Sequence, residues 1–206
     1  MTSVYFVRHA QAVANITGYC YGISECDVTD GGKDQLLKLS ERFKDIPIDV
    51  IYTSPMKRTL ATAKAANKYH EVPLIEEKGL IEIDTGVWEM KRWDDLERMF
   101  PEEFETWTLR PHLWSTTGGE TMVDVYNRMR KTIENIVRDN KDKTVVVVSH
   151  ACALRNYFCV AKGIPHEGLN DVELMSNTGV SFVEYDDDLH CKVIFENDTS
   201  HLGDMK

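Results

Sequence analysis

The sequence predicts an α/β fold, a three-layer doubly wound sandwich in which helices cover both faces of a mostly parallel central sheet. Short apolar runs rich in β-branched residues alternate along the chain with longer segments of helical periodicity, as is typical of this class. One run, Val145–Val148, has no polar alternation, which indicates a strand buried on both faces. With 206 residues, 42% of them hydrophobic, the chain can bury one core, so we expect a single domain over residues 1–206.

Five strands are expected. Residues 4–7, 50–53 and 144–149 are the short apolar runs rich in β-branched residues. Near the C-terminus, residues 180–185 and 192–195 alternate polar and apolar side chains around an acidic turn, which indicates a hairpin. We therefore expect one strand of this pair to run antiparallel to the rest of the sheet.

Four helices are expected between and after these strands. Apolar residues on one helical stripe identify them, and polar residues or proline mark where they begin. The expected starts are Thr29 or Asp30 as an N-cap, about Pro55 in a first turn, Thr121 in a capping box with Asp124, and about Leu154 for a helix that ends near Ala161.

Residues 83–117 differ in composition from the rest of the chain. They contain all four tryptophans, which are Trp88, Trp93, Trp107 and Trp114. An insertion of this length on a compact α/β scaffold is more often a functional lid than a core element. We expect a helical lid here, whose tryptophans form an apolar wall or pack within the lid itself.

Charge and cysteine content disfavour several classes of partner. A formal net charge of −10 disfavours nucleic acids and anionic membranes, which bind basic faces. No apolar run approaches the roughly 18 residues that span a bilayer, and the first residues lack a signal-peptide pattern. The five cysteines form no Cys-x-x-Cys pair, so we expect reduced thiols and a cytoplasmic location.

Two histidines and two arginines follow the three central strands. Arg8 and His9 come directly after the first strand, Arg58 follows the second, and His150 follows the third. Because ligands of open parallel sheets bind beyond the carboxyl ends of the strands, we expect these side chains to converge on one edge. Guanidinium groups bind phosphate oxygens, and a neutral imidazole between them can attack phosphorus.

Other interpretations of these residues stay open at this point. A histidine beside a strand is more often a hydrogen-bonded structural residue, and arginines are commonly partners in surface ion pairs. A zinc site would need a third ligand, and none occurs at metal spacing near His9 or His150. We therefore expect neither a metal nor a cofactor.

Several short motifs occur in a fixed order along most of the chain. They are Val7-Arg8-His9-Ala10-Gln11 with Asn15, Gly18 and Gly22; Thr29-Asp30-Gly31-Gly32; Ser54-Pro55-Met56-Lys57-Arg58-Thr59; Leu80-Ile81-Glu82 with Gly86, Trp88 and Glu89; Gly118-Gly119-Glu120-Thr121; and Val148-Ser149-His150. In these motifs the chain resembles the histidine phosphatase superfamily, which has the phosphoglycerate mutase-like fold. The resemblance implies a metal-independent phosphomonoester hydrolase that acts on a small phosphorylated metabolite through a phosphohistidine.

The resemblance also implies roles for the matching residues. His9 would attack the phosphoryl group, and nearby arginines should disfavour its protonation. Arg8, Arg58 and His150 would bind the phosphoryl oxygens, with Asn15 as an additional amide donor. His150 is thereby both a catalytic and a phosphate-binding candidate.

Glu82 is the expected general acid and base, which would protonate the departing alkoxide and then activate water. Most glutamates in loops are simply exposed, so this role depends on the motif. Four further candidates for substrate contact are Gln11, Gly22, Trp88 and Arg110. The expected partners are a small phosphorylated substrate and inorganic phosphate, with a homodimer left open.

Four residues depart from the family's usual pattern. Ala10 and Ala151 stand where glycine is more usual, so their φ angles must be negative, because alanine disfavours the left-handed region. Ala12 replaces a hydroxyl residue, and Met90 replaces the glycine that commonly follows Trp-Glu. None of the four is a proposed nucleophile, acid or phosphate ligand.

Two alternatives to a phosphatase are a phosphoglycerate mutase and a catalytically silent phosphate-binding regulator. As the family resemblance implies, a mutase carries a lysine shortly after the acid motif, near the position of Trp93, and an arginine-rich insertion. Between Glu82 and Gly118 the basic residues besides His112 are Lys91, Arg92, Arg98 and Arg110. We therefore expect hydrolysis rather than isomerisation, and the complete catalytic set disfavours a silent regulator.

Overall fold

The computed structural model describes residues 1–204, and these residues form one mixed sheet of six strands. The strands are β1 (Thr2–Arg8), β2 (Val50–Thr53), β3 (Leu74–Glu76), β4 (Thr144–Ser149), β5 (Val180–Tyr185) and β6 (Cys191–Asp198). They lie side by side in the order β3-β2-β4-β1-β5-β6, and of these six only β5 runs against the others. The expected mostly parallel sheet with an antiparallel C-terminal hairpin is confirmed.

Seven α-helices accompany the sheet within the described residues. They are α1 (Val13–Thr17), α2 (Asp30–Phe43), α3 (Lys57–Ala66), α4 (Trp93–Met99), α5 (Pro101–Leu109), α6 (Met122–Asp139) and α7 (Ala151–Ala161). Short 3₁₀ segments lie at Lys78–Leu80, Gly86–Trp88, Pro111–Leu113, His166–Asp171 and Ser200–Leu202. Among residues 1–204, no helix combines the length and apolar character that crossing a lipid bilayer requires.

The helices form one layer on each face of the sheet. Helices α2 and α3 pack on the face that presents Val146 and Val148 of β4. Helices α6 and α7 pack on the opposite face, which presents Val145 and Val147. All four valines are fully buried, so β4 is covered on both sides and the expected three-layer sandwich is confirmed.

Local capping explains two of the helix starts that were expected. The Thr29 hydroxyl accepts a hydrogen bond from the amide of Gly32 and begins α2. Thr121 and Asp124 form the expected capping box at the start of α6. In both cases a short polar side chain satisfies helix amides that have no partner within the helix.

Two helices begin at other residues than expected. Helix α3 starts at Lys57 rather than about Pro55, because Met56 still has the extended backbone of an N-cap. Helix α7 starts at Ala151 rather than about Leu154, directly after β4. The three-residue strand β3 and the short helix α1 were not expected at all, since neither is long enough to show a periodic pattern.

Residues 83–117, the expected lid, contain α4, α5 and two of the 3₁₀ segments. Trp88 and Trp114 are fully buried, with ring centroids 5.1 Å apart. Trp93 and Trp107 pack against Trp88 at 6.2 and 5.8 Å and are only partly buried. The segment therefore has an aromatic interior that is continuous with the core of the α6 and α7 layer.

Candidate active site

The three central strands bring the predicted site residues to one edge of the sheet. Strands β2, β4 and β1 are neighbours and parallel, so the residues that follow them meet beyond their carboxyl ends. A cavity of about 310 Å³ opens there. Its charged or titratable lining includes Arg8, His9, Arg58 and Glu82, which are far apart in sequence.

His9 is held in one orientation with one ring nitrogen available. The side chain is buried, and its Nδ1 donates a hydrogen bond to the Ala10 carbonyl at 2.8 Å. The proton on Nδ1 leaves a lone pair on Nε2, the nitrogen that can attack phosphorus. Burial and, secondarily, Arg58 and Arg8 hold the pKa of His9 well below its ordinary value, so the ring is neutral at pH 7.

Arg58 is a buried cation whose guanidinium group makes three hydrogen bonds within the protein. Its Nη1 and Nη2 donate to the carbonyls of Ser24 and Gly22 at 3.0 and 2.9 Å, and its Nε donates to Nδ1 of His150 at 3.3 Å. Only 2% of the residue is exposed, yet it lines the cavity. The loop that contains Gly22 and Ser24 thus fixes the orientation of the Arg58 guanidinium group.

Glu89 fixes that loop in turn. Its Oε1 accepts from the amides of Gly22 and Ile23 at 2.7 and 3.1 Å, and its Oε2 accepts from the Ser24 amide at 3.2 Å. A Cβ on Gly22 would lie 2.1 Å from the Ile83 carbonyl and 2.4 Å from Glu89 Oε1, so only glycine fits. Glu89 and Gly22 therefore position Arg58.

Arg8 is the second cation of the site. Its Nη1 donates to the Met175 carbonyl at 2.5 Å, whereas its buried Nε has no hydrogen-bond partner among residues 1–204. Burial lowers the pKa of Arg8, and the neighbouring Glu82 opposes that shift. An unpaired buried guanidinium donor is costly unless a ligand accepts from it.

His150 lies behind the cavity rather than on its surface. It is fully buried, its Nδ1 accepts from Arg58, and its Nε2 donates to the Ser54 hydroxyl at 2.9 Å. Its ring centroid is 5.2 Å from that of His9, and burial holds its pKa well below the ordinary value. In this structure His150 orients Arg58, and direct contact of His150 with phosphate stays a prediction.

Glu82 lines the cavity and also caps helix α7. Its Oε1 accepts from the amides of Ala153 and Ile83 at 2.9 and 3.0 Å, and its Oε2 accepts from the Cys152 amide at 3.1 Å. The residue is 8% exposed. The carboxyl group is therefore held next to Arg8 by amides at the N-terminus of helix α7.

Asn15 also lines the cavity, with its carbonyl already occupied. Its Oδ1 accepts from the Ala12 amide at 2.9 Å and from Asn177 at 3.3 Å, which leaves the amide group available as a donor. Asn177 also donates to the His9 carbonyl at 2.9 Å. Sequence reasoning missed Asn177, since nothing local marks a residue that acts from the loop before β5.

The structure places the four further candidates for substrate contact outside the cavity. Gln11 accepts from the Thr29 hydroxyl at 2.7 Å and faces the start of α2. Gly22 is needed for close backbone packing, and Trp88 is fully buried in the lid. Arg110 is exposed after α5 and does not line the cavity.

Other side chains supply the lining that these candidates were expected to give. The remaining bulky side chains around the cavity are Tyr19, Tyr21, Ile83, Trp93, Trp107 and Leu174. The two lid tryptophans belong to the aromatic set that the composition singled out. The tyrosines lie in an irregular segment before α2, where no periodicity indicates which side chains turn inward.

The departures from the family's pattern have different structural consequences. Ala10 and Ala151 do not have positive φ angles, which fits the condition stated for them. Ala12 is the extended N-cap of α1, with φ of −118°. Met90 is different, because its φ of 60° lies in the left-handed region that favours glycine.

Protein sites for metal ions such as Zn²⁺ are sets of His, Cys, Asp or Glu side chains. Within residues 1–204, no group of three or more His, Cys, Asp and Glu side chains is arranged to hold a metal ion. The chemistry of the cavity is accordingly that of a neutral imidazole, two guanidinium groups, an amide and a carboxyl group. Such a set can bind a phosphoryl group, receive it on nitrogen and supply a proton to an oxygen leaving group.

Comparison with known proteins also indicates phosphoryl-group chemistry. Residues 4–198 match the family described as the histidine phosphatase superfamily (branch 1). Phosphoserine phosphatase 1 of Hydrogenobacter thermophilus is 34% identical over 164 residues, which cover 80% of this chain and 78% of that protein.

Solved structures share the fold. The structure of YhfR from Bacillus stearothermophilus matches with a TM-score of 0.93 at 29% identity and covers 98% of this chain and 100% of its own. The alpha-ribazole phosphatase from Shigella flexneri matches with a TM-score of 0.86 at 21% identity, over 95% of this chain and 96% of its own, and it supports the fold alone.

Proposed function

This chain belongs to the histidine phosphatase superfamily and hydrolyses phosphomonoesters, and we propose that the phosphoryl group passes through His9 on its way to water. The observation that carries this proposal is the protonation and hydrogen bonding of the His9 ring. Its Nδ1–H donates a hydrogen bond to the Ala10 carbonyl, its Nε2 has a lone pair, and two arginines line the same cavity. This arrangement suits in-line attack on a phosphoryl group.

The reaction has two steps with matched proton transfers. In the first, Nε2 of His9 forms a bond to phosphorus while the ester P–O bond breaks, and protonated Glu82 gives its proton to the departing oxygen. In the second, Glu82 takes a proton from water, the water oxygen bonds to phosphorus, and the N–P bond breaks. Inorganic phosphate leaves, and His9 and Glu82 return to their starting states.

Arg8, Arg58 and Asn15 would stabilise charge on the phosphoryl oxygens in both steps. Because these donors are held by protein carbonyls and by Asn177, they need little reorganisation during the reaction. Both arginines supply positive charge without a metal ion. Metal independence is accordingly part of this proposal.

The test combines phosphate release with trapping of the intermediate. We expect release from a panel of phosphomonoesters in excess EDTA, and an acid-labile, base-stable phosphoprotein after rapid quenching. His9→Ala should lose both, whereas His190→Ala, in the exposed hairpin turn, should keep both. A phosphoprotein that persists in His9→Ala would exclude this role for His9, and release that EDTA abolishes would exclude metal independence.

Mutase activity has weaker support. A phosphoglycerate mutase must hold a second phosphate, but the only permanently charged cations that line the cavity within the described residues are Arg8 and Arg58. We therefore expect the same assays with 3-phosphoglycerate to release phosphate without forming 2-phosphoglycerate. A silent regulator would instead bind phosphate and release none from any ester.

Two further aspects belong to the same proposal. We propose that residues 1–206 act as one domain with residues 83–117 as its lid over the cavity, which is supported by the Trp93 and Trp107 lining. All five cysteines are free, which fits a reducing compartment such as the cytoplasm. A homodimer stays a prediction that light scattering can check.

A further inference from the structure

The cavity has two chemically different parts. The phosphoryl-binding part consists of Arg8, His9, Asn15, Arg58 and Glu82. The remaining bulky lining is aromatic and aliphatic, and it consists of Tyr19, Tyr21, Ile83, Trp93, Trp107 and Leu174. We call these six residues the apolar wall. A substrate bound through its phosphoryl group must place its alcohol portion against this wall.

The apolar wall is built into the fold. The Trp93 amide donates to the Gly18 carbonyl at 2.9 Å, which ties the start of α4 to the loop beside the cavity. Trp107 packs against Trp93 and Trp114, with ring centroids 5.7 and 4.9 Å apart. These contacts fix the two rings before any ligand arrives, as is usual in preformed small-molecule sites.

Among the described residues, no charged side chain lines the cavity on the side of the apolar wall. All arginine, histidine and glutamate side chains of the lining belong to the phosphoryl-binding part. The other titratable groups of the lining are two cysteine thiols and two tyrosine hydroxyls. Arg92 lies outside the cavity lining, with its guanidinium 5.6 Å from the Tyr19 ring centroid and paired with Asp94 at 3.1 Å. A carboxylate or ammonium group on the alcohol portion would lose hydration here and gain no ionic partner.

We infer that the preferred substrates are phosphomonoesters whose alcohol portion is uncharged and presents an aromatic or aliphatic group to Trp93 and Trp107. The inference depends on the proposed function, because it assigns the alcohol portion of the same ester. A cavity of about 310 Å³ lies at the lower end of the usual range for ligand sites, so the group is small. The H. thermophilus relative is named for phosphoserine, whose alcohol portion carries both charges that this wall leaves unpaired.

The first experiment compares esters of similar intrinsic reactivity. The substrates are 2-phenylethyl phosphate, O-phosphoserine and 3-phosphoglycerate, all of which have alkyl leaving groups. We expect kcat/KM for 2-phenylethyl phosphate to exceed the other two by about tenfold or more, the usual scale for an unpaired polar group in an apolar pocket. Equal or higher kcat/KM for either charged ester would overturn the inference.

A charge-insertion variant tests the same inference from the other direction. Leu174 lines the cavity and is 51% exposed, so Leu174→Lys should fold. The new ammonium group can pair with a carboxylate, and we expect kcat/KM for 3-phosphoglycerate to rise relative to 2-phenylethyl phosphate by about tenfold. Leu113→Lys is the matched control, because Leu113 is 58% exposed in the lid and does not line the cavity.

The outcomes separate this inference from the proposed function. No phosphate release from any of the three esters would contradict the proposed function itself. Release from all three, with the charged esters preferred by the wild type, would leave the proposed function intact and overturn the substrate class. An unchanged ratio in Leu174→Lys, or the same change in Leu113→Lys, would also overturn it.

Discussion

At the residue scale, Met90 occupies a backbone conformation that is unfavourable for its side chain. Its φ is 60°, and its amide donates to the Cys20 carbonyl at 2.8 Å, so the turn beside the cavity holds it there. A left-handed conformation costs an L-residue roughly 1–2 kcal/mol. Glycine avoids that cost but loses about 0.5–1 kcal/mol through its freer unfolded chain.

We therefore expect Met90→Gly to raise the free energy of unfolding by about 0.5–1 kcal/mol, as the difference between these two effects. The Met90 side chain is 51% exposed, so its loss removes little packing. Urea unfolding followed by circular dichroism measures the change. Met90→Ala keeps the Cβ and should show no gain, and an equal gain in both variants would exclude backbone strain as the cause.

The site residues that the sequence predicted and that line the cavity lie at or shortly after strand ends, or in the motifs that carry Asn15 and Glu82. His9, Arg8 and Arg58 come together because three parallel strands end at one edge of the sheet. The positions of the motifs relative to the predicted strands already indicate this arrangement. Gly22 and Trp88 belong to the same motifs, yet they serve the loop behind Arg58 and the interior of the lid. The direction in which a loop side chain points depends on contacts across the fold, which local sequence does not encode.

At the scale of elements, helix α6 holds the segment that carries Glu82. Arg128 Nη1 donates to the carbonyls of Gly79 and Ile81 at 2.9 and 3.0 Å, just before Glu82. Its Nε and Nη2 bind both oxygens of Glu120 at 2.8 and 2.7 Å, and Glu120 accepts from the Asp84 amide at 3.2 Å, just after Glu82. One guanidinium group thus constrains the acid from both sides.

Arg128→Lys should lower kcat and cost about 2 kcal/mol of stability, because one ammonium group cannot replace four directed hydrogen bonds. Inhibition by inorganic phosphate should be unchanged, because Arg8 and Arg58 keep their contacts. Arg130→Lys is the control on the same helix, where an exposed pair with Glu134 contributes below about 0.5 kcal/mol. Unchanged kcat with the stability loss would show that Arg128 supports the fold without positioning Glu82.

The segment that carries Glu82 explains why the start of helix α7 was predicted at the wrong residue. Helix α7 has no side-chain cap from His150, its own N-cap residue. Glu82 supplies the cap from 70 positions away along the chain, so residues 151–153 carry no local helix signal. Where the cap is local, as at Thr29 and Thr121, the sequence placed the helix start correctly.

At the scale of the whole molecule, the fold keeps two histidines neutral beside two arginines. His9 and His150 are both buried, and burial together with Arg58 and Arg8 lowers the pKa of each well below 6.5. The sheet topology that assembles the site therefore also sets its charge state. A neutral His9 is required for attack, and the same requirement links stability of the whole protein to pH.

The expected consequence is a loss of stability as the pH falls below about 6.5. In that range the unfolded chain protonates both histidines while the folded protein does not, so the unfolded state binds more protons and is favoured. Each histidine contributes up to about 1.4 kcal/mol per pH unit below that point. Urea unfolding at pH 7, 6 and 5 measures the slope. In His150→Gln the amide can still pair with Arg58 and Ser54, and we expect the slope to fall by the contribution of one histidine. A slope that is the same in wild type and His150→Gln would show that His150 is protonated in the folded protein, and Arg58 would then lack the acceptor that orients it.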